Sequence, residues 1–189
     1  MDIEPKQPRP APGPGENAQP ESRDSGGLID LAATVHYLYI SPGHNFFGRY
    51  GKGSLDHETV SVQEVECVAG SGLVGDRFFD YKPDYKGQVT LFSLEVFMTI
   101  CGILEVWAHE PGVLRRNVVV SGAELNDLIG RRFVLQGVEF EGIEEAKPCL
   151  WMDEAFAPGA EALLVGRGGL RAKVRSNGRL RVDGDGCLS

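Results

Sequence analysis

The stretch that decides the fold runs from Arg131 to Trp151 and reads RRFVLQGVEFEGIEEAKPCLW. It holds two short apolar segments, residues 132–135 and 138–144, which we interpret as β-strands because short apolar runs cut by glycine are typical of strands. The stretch then passes through Pro148 to Cys149. The same piece of sequence therefore predicts strands and carries the cysteine with the most suggestive chemical context.

The same texture is found along the chain from residue 31 onward. The chain has 25 glycines, more than long helices would tolerate, so we predict a mainly β fold with a few short helices. Short strands at this spacing predict a sandwich or a barrel. The predicted strands are residues 33–40, 60–68, 88–92, 117–120, 132–135, 138–144, 171–175 and 180–183.

Two helices are predicted between these strands. Ser93 is the expected N-cap of the longer helix, because its hydroxyl can accept a hydrogen bond from the first turn. A shorter helix is expected over residues 123–129, ending before Gly130 and placing Leu125, Leu128 and Ile129 inward. The longer helix is expected to pack through one apolar face made of Leu94, Phe97, Met98, Cys101 and Leu104.

The last two strands are predicted to form a hairpin. Pairing Val174 with Leu180 places the apolar residues on one face and leaves residues 176–178 as a three-residue loop with Gly178 left-handed. A solvated outer face and a docking site for an anionic partner both remain open for the other face. That face is expected to carry Arg171, Lys173, Arg175, Arg179 and Arg181.

Composition and charge set the broad class. The chain has 189 residues, of which 42% are hydrophobic, and this predicts one β-domain over residues 30–189 behind a disordered proline-rich tail over residues 1–29. A net charge of −8 disfavours nonspecific nucleic-acid binding. No apolar run approaches the ~20 residues that a membrane helix requires, so we expect a cytoplasmic protein without membrane contact.

The four cysteines, Cys67, Cys101, Cys149 and Cys187, lie far apart without a zinc-ligand spacing, and we expect free thiols rather than two disulfides. Cys149 follows a strand and stands beside Pro148, a residue suited to a first helical turn. A helix start and the nearby Lys147 would favour the thiolate, the form that attacks electrophiles and binds metals. An inert buried cysteine is the alternative from local sequence alone.

Other polar residues could hold an anion. Asp76 and Arg77 can fix a loop through charge-assisted hydrogen bonds, or leave the arginine free for an anionic ligand. Arg115 and Arg116 precede the strand that starts at Asn117, where a guanidinium could bind phosphate. We interpret the four histidines as surface or loop residues, because they show no paired ligand spacing.

Taken in order, these segments resemble the MOSC (molybdenum cofactor sulfurase C-terminal) domain family across about residues 32–186. The resemblance lies in the order of the motifs as much as in any one of them. The similar pieces are Gly72-Leu73-Val74-Gly75-Asp76-Arg77, Gly87-Gln88-Val89-Thr90-Leu91, Arg116-Asn117 before a strand and Gly122, Leu128-Ile129-Gly130-Arg131-Arg132-Phe133, Pro148-Cys149, Gly168-Gly169, and Gly178 leading to Gly184-Asp185.

The resemblance implies a closed, Greek-key-like β-barrel with a pocket and the motif cysteine, Cys149, at its base. Family members bind the molybdenum-pterin cofactor (molybdopterin) or are proposed to handle sulfur for metal centres. Carried over by position, Cys149 would be the molybdenum ligand or a persulfide carrier. The pocket for the pterin and its phosphate would be shaped or contacted by Asp76, Arg77, Arg116 and Asn117.

The resemblance leaves three functions open. The first is a molybdenum-cofactor-binding protein, the terminal component of an oxidoreductase that reduces N-hydroxylated substrates, with electrons from a separate reductase. The second is a sulfur carrier that passes persulfide sulfur from Cys149. Because the chain lacks a pyridoxal-phosphate domain, that sulfur would come from a separate pyridoxal-phosphate-dependent cysteine desulfurase. The third is an interaction module whose basic hairpin docks an acidic partner.

Overall fold

The structure, a computed structural model, describes residues 27–44 and 57–183. The mainly β class is confirmed, because this part of the chain contains eleven strands and three short helices. The helices are α1 (Leu94–Leu104), α2 (Trp151–Ala155) and α3 (Ala160–Leu164). The strands are β1 (Ile29–Asp30), β2 (Thr34–Ile40), β3 (Val60–Val62), β4 (Glu64–Val68), β5 (Gly72–Leu73), β6 (Val89–Ser93), β7 (Val118–Ser121), β8 (Arg132–Leu135), β9 (Val138–Glu145), β10 (Leu170–Val174) and β11 (Gly178–Arg181).

The strands form two sheets. The larger sheet has the order β1-β8-β9-β10-β6-β7-β2-β3, and the smaller has the order β11-β4-β5. Strands β1 and β3 are the two edges of the larger sheet, and no pairing joins them within the described residues. The closed Greek-key-like barrel is therefore not confirmed.

The alternation of side chains along the central strands divides the core in two. Leu91 and Val118 belong to a hydrophobic cluster formed by residues of both sheets. Phe92, Val119 and Tyr39 belong to a second cluster, which includes residues of the helices. Successive residues of a strand point to opposite faces, so strands β6, β7 and β2 are covered on both sides. These central strands are thus packed on both faces, and the candidate site lies at one end of them.

Helix α1 connects β6 to β7, which run parallel. The predicted N-cap is confirmed, because the Ser93 side chain accepts a hydrogen bond from the Val96 amide at 3.2 Å. Leu94, Phe97 and Cys101 are buried as expected. Met98 is 41% exposed, so its assignment to the packed face was wrong.

The second predicted helix is shorter than expected. Only Leu125–Leu128 are helical, and they form a 3₁₀ turn. Ile129 leaves the turn with extended backbone, bridges Gly142, and is 41% exposed rather than inward-facing. Gly130 does adopt a left-handed conformation, with φ of 75°. Competition from the bridge to Gly142 explains why the helix does not continue.

The predicted C-terminal hairpin is wrong. Strand β10 pairs with β6 and β9, whereas β11 crosses to the smaller sheet, where Leu180 lies opposite Val65. The connection is fixed by side-chain hydrogen bonds instead of a hairpin turn: the Asn177 carbonyl oxygen accepts from the Ala69 amide at 2.8 Å, and the Ser176 hydroxyl accepts from the Glu139 amide. Gly178 is extended in β11 and is not left-handed.

The basic residues of these strands therefore do not form one hairpin face. Acidic side chains elsewhere in the described chain pair with each of them. Glu64 accepts hydrogen bonds from both Arg179 and Arg181, at 2.9 and 3.1 Å. The other ion pairs are Lys173–Asp84, Arg175–Glu141 and Arg171–Glu144. A docking surface made of a basic hairpin is not present in the described chain.

Two further predictions concern cysteines and membranes. Cys67, Cys101 and Cys149 are free thiols, as expected, while Cys187 lies outside the described residues. In the portion of the chain that the structure covers, no helix has the length and apolar character needed to cross a bilayer. The predicted disordered tail lies outside the described residues except for its last three, of which Ile29 already pairs with Phe133 on β8.

Candidate functional site

A pocket of about 230 Å³ lies where several segments of the chain meet. Its walls come from His44 after β2, from the turn-rich segment after β5, from the residues just before β7, from the segment between β9 and α2 with the start of α2, and from Thr90 on β6 and Arg171 on β10. Its described lining contains no aspartate or glutamate. The basic residues that line it are Arg77, Arg115, Arg116, Lys147 and Arg171.

Cys149 lines this pocket and is half-buried. It precedes α2, and its carbonyl accepts a hydrogen bond from the Met152 amide at 2.8 Å. Helix α2 has only five residues and begins at Trp151, so a helix dipole contributes less at Cys149 than the sequence suggested. The positive charge at the site comes from side chains instead, including Lys147, the neighbour that the sequence singled out.

Arg115 reaches the pocket through an unusual backbone conformation. It follows a 3₁₀ turn at Pro111–Leu114 and is left-handed, with φ of 55° and ψ of 41°. Such conformations are costly for residues other than glycine and cluster at functional sites. The turn breaks the strand-like alternation, so Arg115 and its neighbour Arg116 both line the same pocket. Arg115 also lies over the Trp151 ring, 5.8 Å from its centre.

Asp76 and Asn117 form a buried hydrogen-bond network behind the pocket. The Asn117 carbonyl oxygen accepts from the Thr90 amide and hydroxyl at 3.0 and 2.8 Å, while its amide donates to Asp76 Oδ2 at 3.1 Å. The Asp76 carboxylate also accepts from the Ser41 amide and forms an ion pair with Arg77 at 3.5 Å. These two residues shape the pocket without lining it.

Two buried guanidinium groups keep unused donors. Arg77 Nε and Arg115 Nη1 have no hydrogen-bond acceptor among the described residues, although both arginines line the pocket. Burial, together with the smaller effect of the charge of Arg77, lowers the pKa of Arg115 to about 10. Burial is also the main cause of the lowered pKa of Arg77. An anionic ligand would satisfy these donors and relieve the repulsion between the two cations.

Arg116 is used differently. Its Nε donates to Gly168 O at 2.8 Å, its Nη2 to Ala146 O at 2.7 Å, and its Nη1 to Leu114 O at 3.2 Å. Burial lowers its pKa to about 10, and the electrostatic interaction with the Cys149 side chain acts in the opposite direction. Arg116 therefore stays protonated near neutral pH and holds the wall of the pocket next to Cys149.

Aromatic side chains form the rim of the pocket. Phe78 and Tyr85 line it with ring centres 5.0 Å apart, and Tyr81 packs edge-on against both. His44 contacts Phe78 edge-on at 5.0 Å and lines the pocket from a loop. Burial and the charges of Arg77 and Arg115 lower the pKa of His44, which favours its neutral form at pH 7.

The structure brings together three of the five residues chosen from sequence, Cys149, Arg77 and Arg116, in the lining of one pocket. Asp76 and Asn117 do not line the pocket but hydrogen-bond to each other beside it. The sequence did identify Arg115 as part of a basic pair, but its place in the pocket depends on a backbone conformation that no motif signals. Sequence reasoning did not select the remaining lining residues that matter chemically, Phe78, Tyr85, Lys147, Trp151 and Arg171, as site residues.

Comparison with known proteins supports the fold and goes no further. No family model matches the sequence, and no curated protein matches it. The structure is similar to that of the YuaD protein from Bacillus subtilis, with a TM-score of 0.63 and 21% identity over 79% of this chain and 91% of YuaD. It is also similar to YiiM from Geobacillus stearothermophilus, with a TM-score of 0.57 and 13% identity over 79% of this chain and 71% of YiiM.

YiiM from Escherichia coli matches with a TM-score of 0.53 and 16% identity, over 77% of this chain and 66% of that protein, just under two thirds of its length. At such low identities the matches show a shared fold alone. That fold is consistent with the MOSC-type fold that the order of the sequence motifs implies.

Proposed function

We propose that this chain is a molybdenum-cofactor-binding protein of the MOSC type, with Cys149 as the thiolate ligand of the metal. The observation that carries the proposal is the composition of one pocket: a free thiol stands among four arginines and a lysine, with no carboxylate in the described lining. Thiolates are soft ligands suited to such metals, and guanidinium groups suit phosphate.

The donors of the pocket fit the anionic part of a pterin cofactor. Arg77 Nε and Arg115 Nη1 are buried and lack acceptors in the described chain. A phosphate oxygen would therefore accept hydrogen bonds from them without displacing another acceptor. Arg77 is itself held by Asp76, and Asp76 by Asn117. Arg115 is held by a separate hydrogen bond from its Nη2 to Gly43 O at 2.8 Å. The two arginines are thus preorganised donors, which reduces the entropy lost on binding.

The same residues suggest how a reaction would be supported. The bound cofactor would supply the redox chemistry of the metal, and the class of reaction we propose is the reduction of N-hydroxylated substrates with electrons from a separate reductase. Cys149 would hold the metal, and Arg77 and Arg115 would orient the phosphate. The rings of Phe78 and Tyr85 would limit the access of water at the rim.

A sulfur carrier is the second candidate, and one observation favours it. Cys149 is the only cysteine among the described lining residues, because Cys67 and Cys101 are buried in the two cores. A persulfide on Cys149 would therefore meet no neighbouring described thiol to resolve it into a disulfide. In this alternative a pyridoxal-phosphate-dependent cysteine desulfurase would supply the sulfur, and the surrounding cations would stabilise the persulfide anion.

One experiment separates these functions. The protein is purified from a host that makes the cofactor, and its molybdenum and pterin contents are measured beside its intact mass before and after reductant. Stoichiometric molybdenum with pterin supports the leading proposal. A reductant-labile mass increase of one sulfur atom, without metal, supports the sulfur carrier. Neither metal nor added sulfur would argue against both.

Replacing Arg115 by glutamine is expected to weaken cofactor binding by about tenfold or more, because one charge-assisted hydrogen bond contributes roughly 1.5–3 kcal/mol. The measurement is cofactor retained after dialysis, together with the affinity for inorganic phosphate. Arg132→Gln is the matched control, since Arg132 is an exposed residue that pairs with Glu139 at 3.1 Å away from the pocket lining. Equal cofactor retention by the two variants would show that Arg115 does not contribute to cofactor binding.

A further inference from the structure

Arg116 differs from the other buried arginines of the pocket in how it uses its donors. Arg77 and Arg115 each keep an N–H group that has no acceptor within residues 27–44 and 57–183, whereas Arg116 donates to three backbone carbonyls, with the two shortest bonds at 2.7 Å to Ala146 O and 2.8 Å to Gly168 O. A guanidinium is planar and presents its donors in a fixed fork. Arg116 therefore joins two carbonyl groups at a defined distance and angle.

The two carbonyls belong to the segments that flank Cys149 in space. Ala146 lies three residues before Cys149 on the chain leaving β9, and Gly168 lies in the turn that enters β10. The Ala146 amide also donates to Gly169 O at 2.8 Å. A Cβ at Gly168 would lie 2.5 Å from Ala146 O and 3.0 Å from Pro148 Cδ, so the two segments touch directly.

We infer that Arg116 is a positioning residue, whose fork to Ala146 O and Gly168 O fixes the segment that carries Cys149. This role rests on the proposed function only in treating Cys149 as the functional thiol. An ammonium group could not replace the guanidinium, because it lacks the planar fork that reaches two carbonyls at once. The role thus depends on the shape of the side chain as well as on its charge.

Chemical rescue tests the inference in the full chain. Arg116→Ala removes the fork and leaves space for a small cation, and the measurements are amide hydrogen exchange over residues 146–152 and the alkylation rate of Cys149 at one fixed pH. We expect exchange in this segment to speed up by about tenfold or more, because local opening is controlled by the lost hydrogen bonds. Added guanidinium should restore slow exchange and the wild-type alkylation rate, whereas ammonium at equal ionic strength should not.

Matched variants exclude general effects. Arg171→Ala removes another cation of the same pocket, whose ion pair is with Glu144 rather than with the Cys149 segment, so exchange over residues 146–152 should stay as in the wild type. If Arg116→Ala does not fold, Arg116→Lys serves instead, and we expect it to exchange faster in this segment despite its charge.

Three results would overturn the inference: unchanged exchange in Arg116→Ala, rescue by ammonium as complete as by guanidinium, or wild-type exchange in Arg116→Lys. None of these measurements uses molybdenum. Failure of the proposed function would appear separately, as metal loading that does not depend on Cys149.

Discussion

Replacing Cys149 by serine is expected to abolish molybdenum loading and to leave the fold intact. Cys149 is half-buried in the pocket wall, so exchanging sulfur for oxygen changes little volume and disturbs no core packing. The loss of loading should exceed 100-fold in affinity, since losing an outer-shell partner of a metal ligand already costs about 10–100-fold. The same substitution removes the atom that would carry a persulfide. Metal content after reconstitution and persulfide mass after incubation with a sulfur donor measure both losses.

The other cysteines provide the controls. Burial raises the pKa of Cys67 to about 12, and burial also raises the pKa of Cys101. Both thiols should therefore stay protonated near neutral pH and alkylate slowly, and Cys67→Ser and Cys101→Ser should load metal as the wild type does. Cys187→Ser, outside the described residues, completes the series. If Cys149 alkylates no faster than the others and its loss changes neither metal nor sulfur loading, its assignment is wrong.

Replacing Asn117 by alanine is expected to cost about 3 kcal/mol or more in the free energy of unfolding, because several buried polar groups lose a partner at once. Asn117 is 3% exposed. Its side chain accepts from the Thr90 amide and hydroxyl, and donates to Tyr39 O and Asp76 Oδ2, each at 3.1 Å. Since Asp76 holds Arg77, the variant should also bind cofactor poorly at temperatures where it remains folded.

Urea denaturation measures the stability loss, with Asn126→Ala as the matched control. Asn126 also makes a side-chain hydrogen bond to a backbone carbonyl, to Gly166 O at 2.8 Å, but it is exposed. Its loss should cost no more than about 1 kcal/mol, because water can replace the missing partner. Similar costs for the two variants would show that the buried network does not hold the pocket wall.

Local sequence patterns predicted most of the strands and helix α1, but they joined β3 and β4 into one strand and did not predict β1, β5 or α3. The alternation of buried and less buried residues along β9, and the serine that caps α1, can each be recognised from a few neighbouring residues. The prediction of a hairpin was wrong because the alternation of apolar and polar residues around Ala172, Val174, Leu180 and Val182 is compatible with any partner strand. Arg179 and Arg181 both pair with Glu64, which lies more than a hundred residues earlier in the chain. No local sequence pattern can encode that pairing.

The candidate site could be predicted from the sequence to a similar extent as the fold. Cys149, Arg77 and Arg116 were found through motifs, and they do meet in one pocket. Arg115 was considered beside Arg116 as a phosphate-binding guanidinium but lies outside the family motif Arg116-Asn117, and no motif signals the left-handed backbone that it adopts at the pocket. The aromatic rim lies in an irregular, turn-rich segment whose spacing follows neither the helix nor the strand period.

Selenium X-ray absorption on protein carrying selenocysteine at position 149 tests the central claim most directly. The chain is isolated from cells that make the cofactor, and the spectrum reports which atoms neighbour the single selenium. Selenium replaces sulfur with little change in size and keeps a soft ligand. The account predicts a molybdenum neighbour at bonding distance. A spectrum with carbon neighbours alone, in protein that nevertheless contains stoichiometric molybdenum, would contradict it.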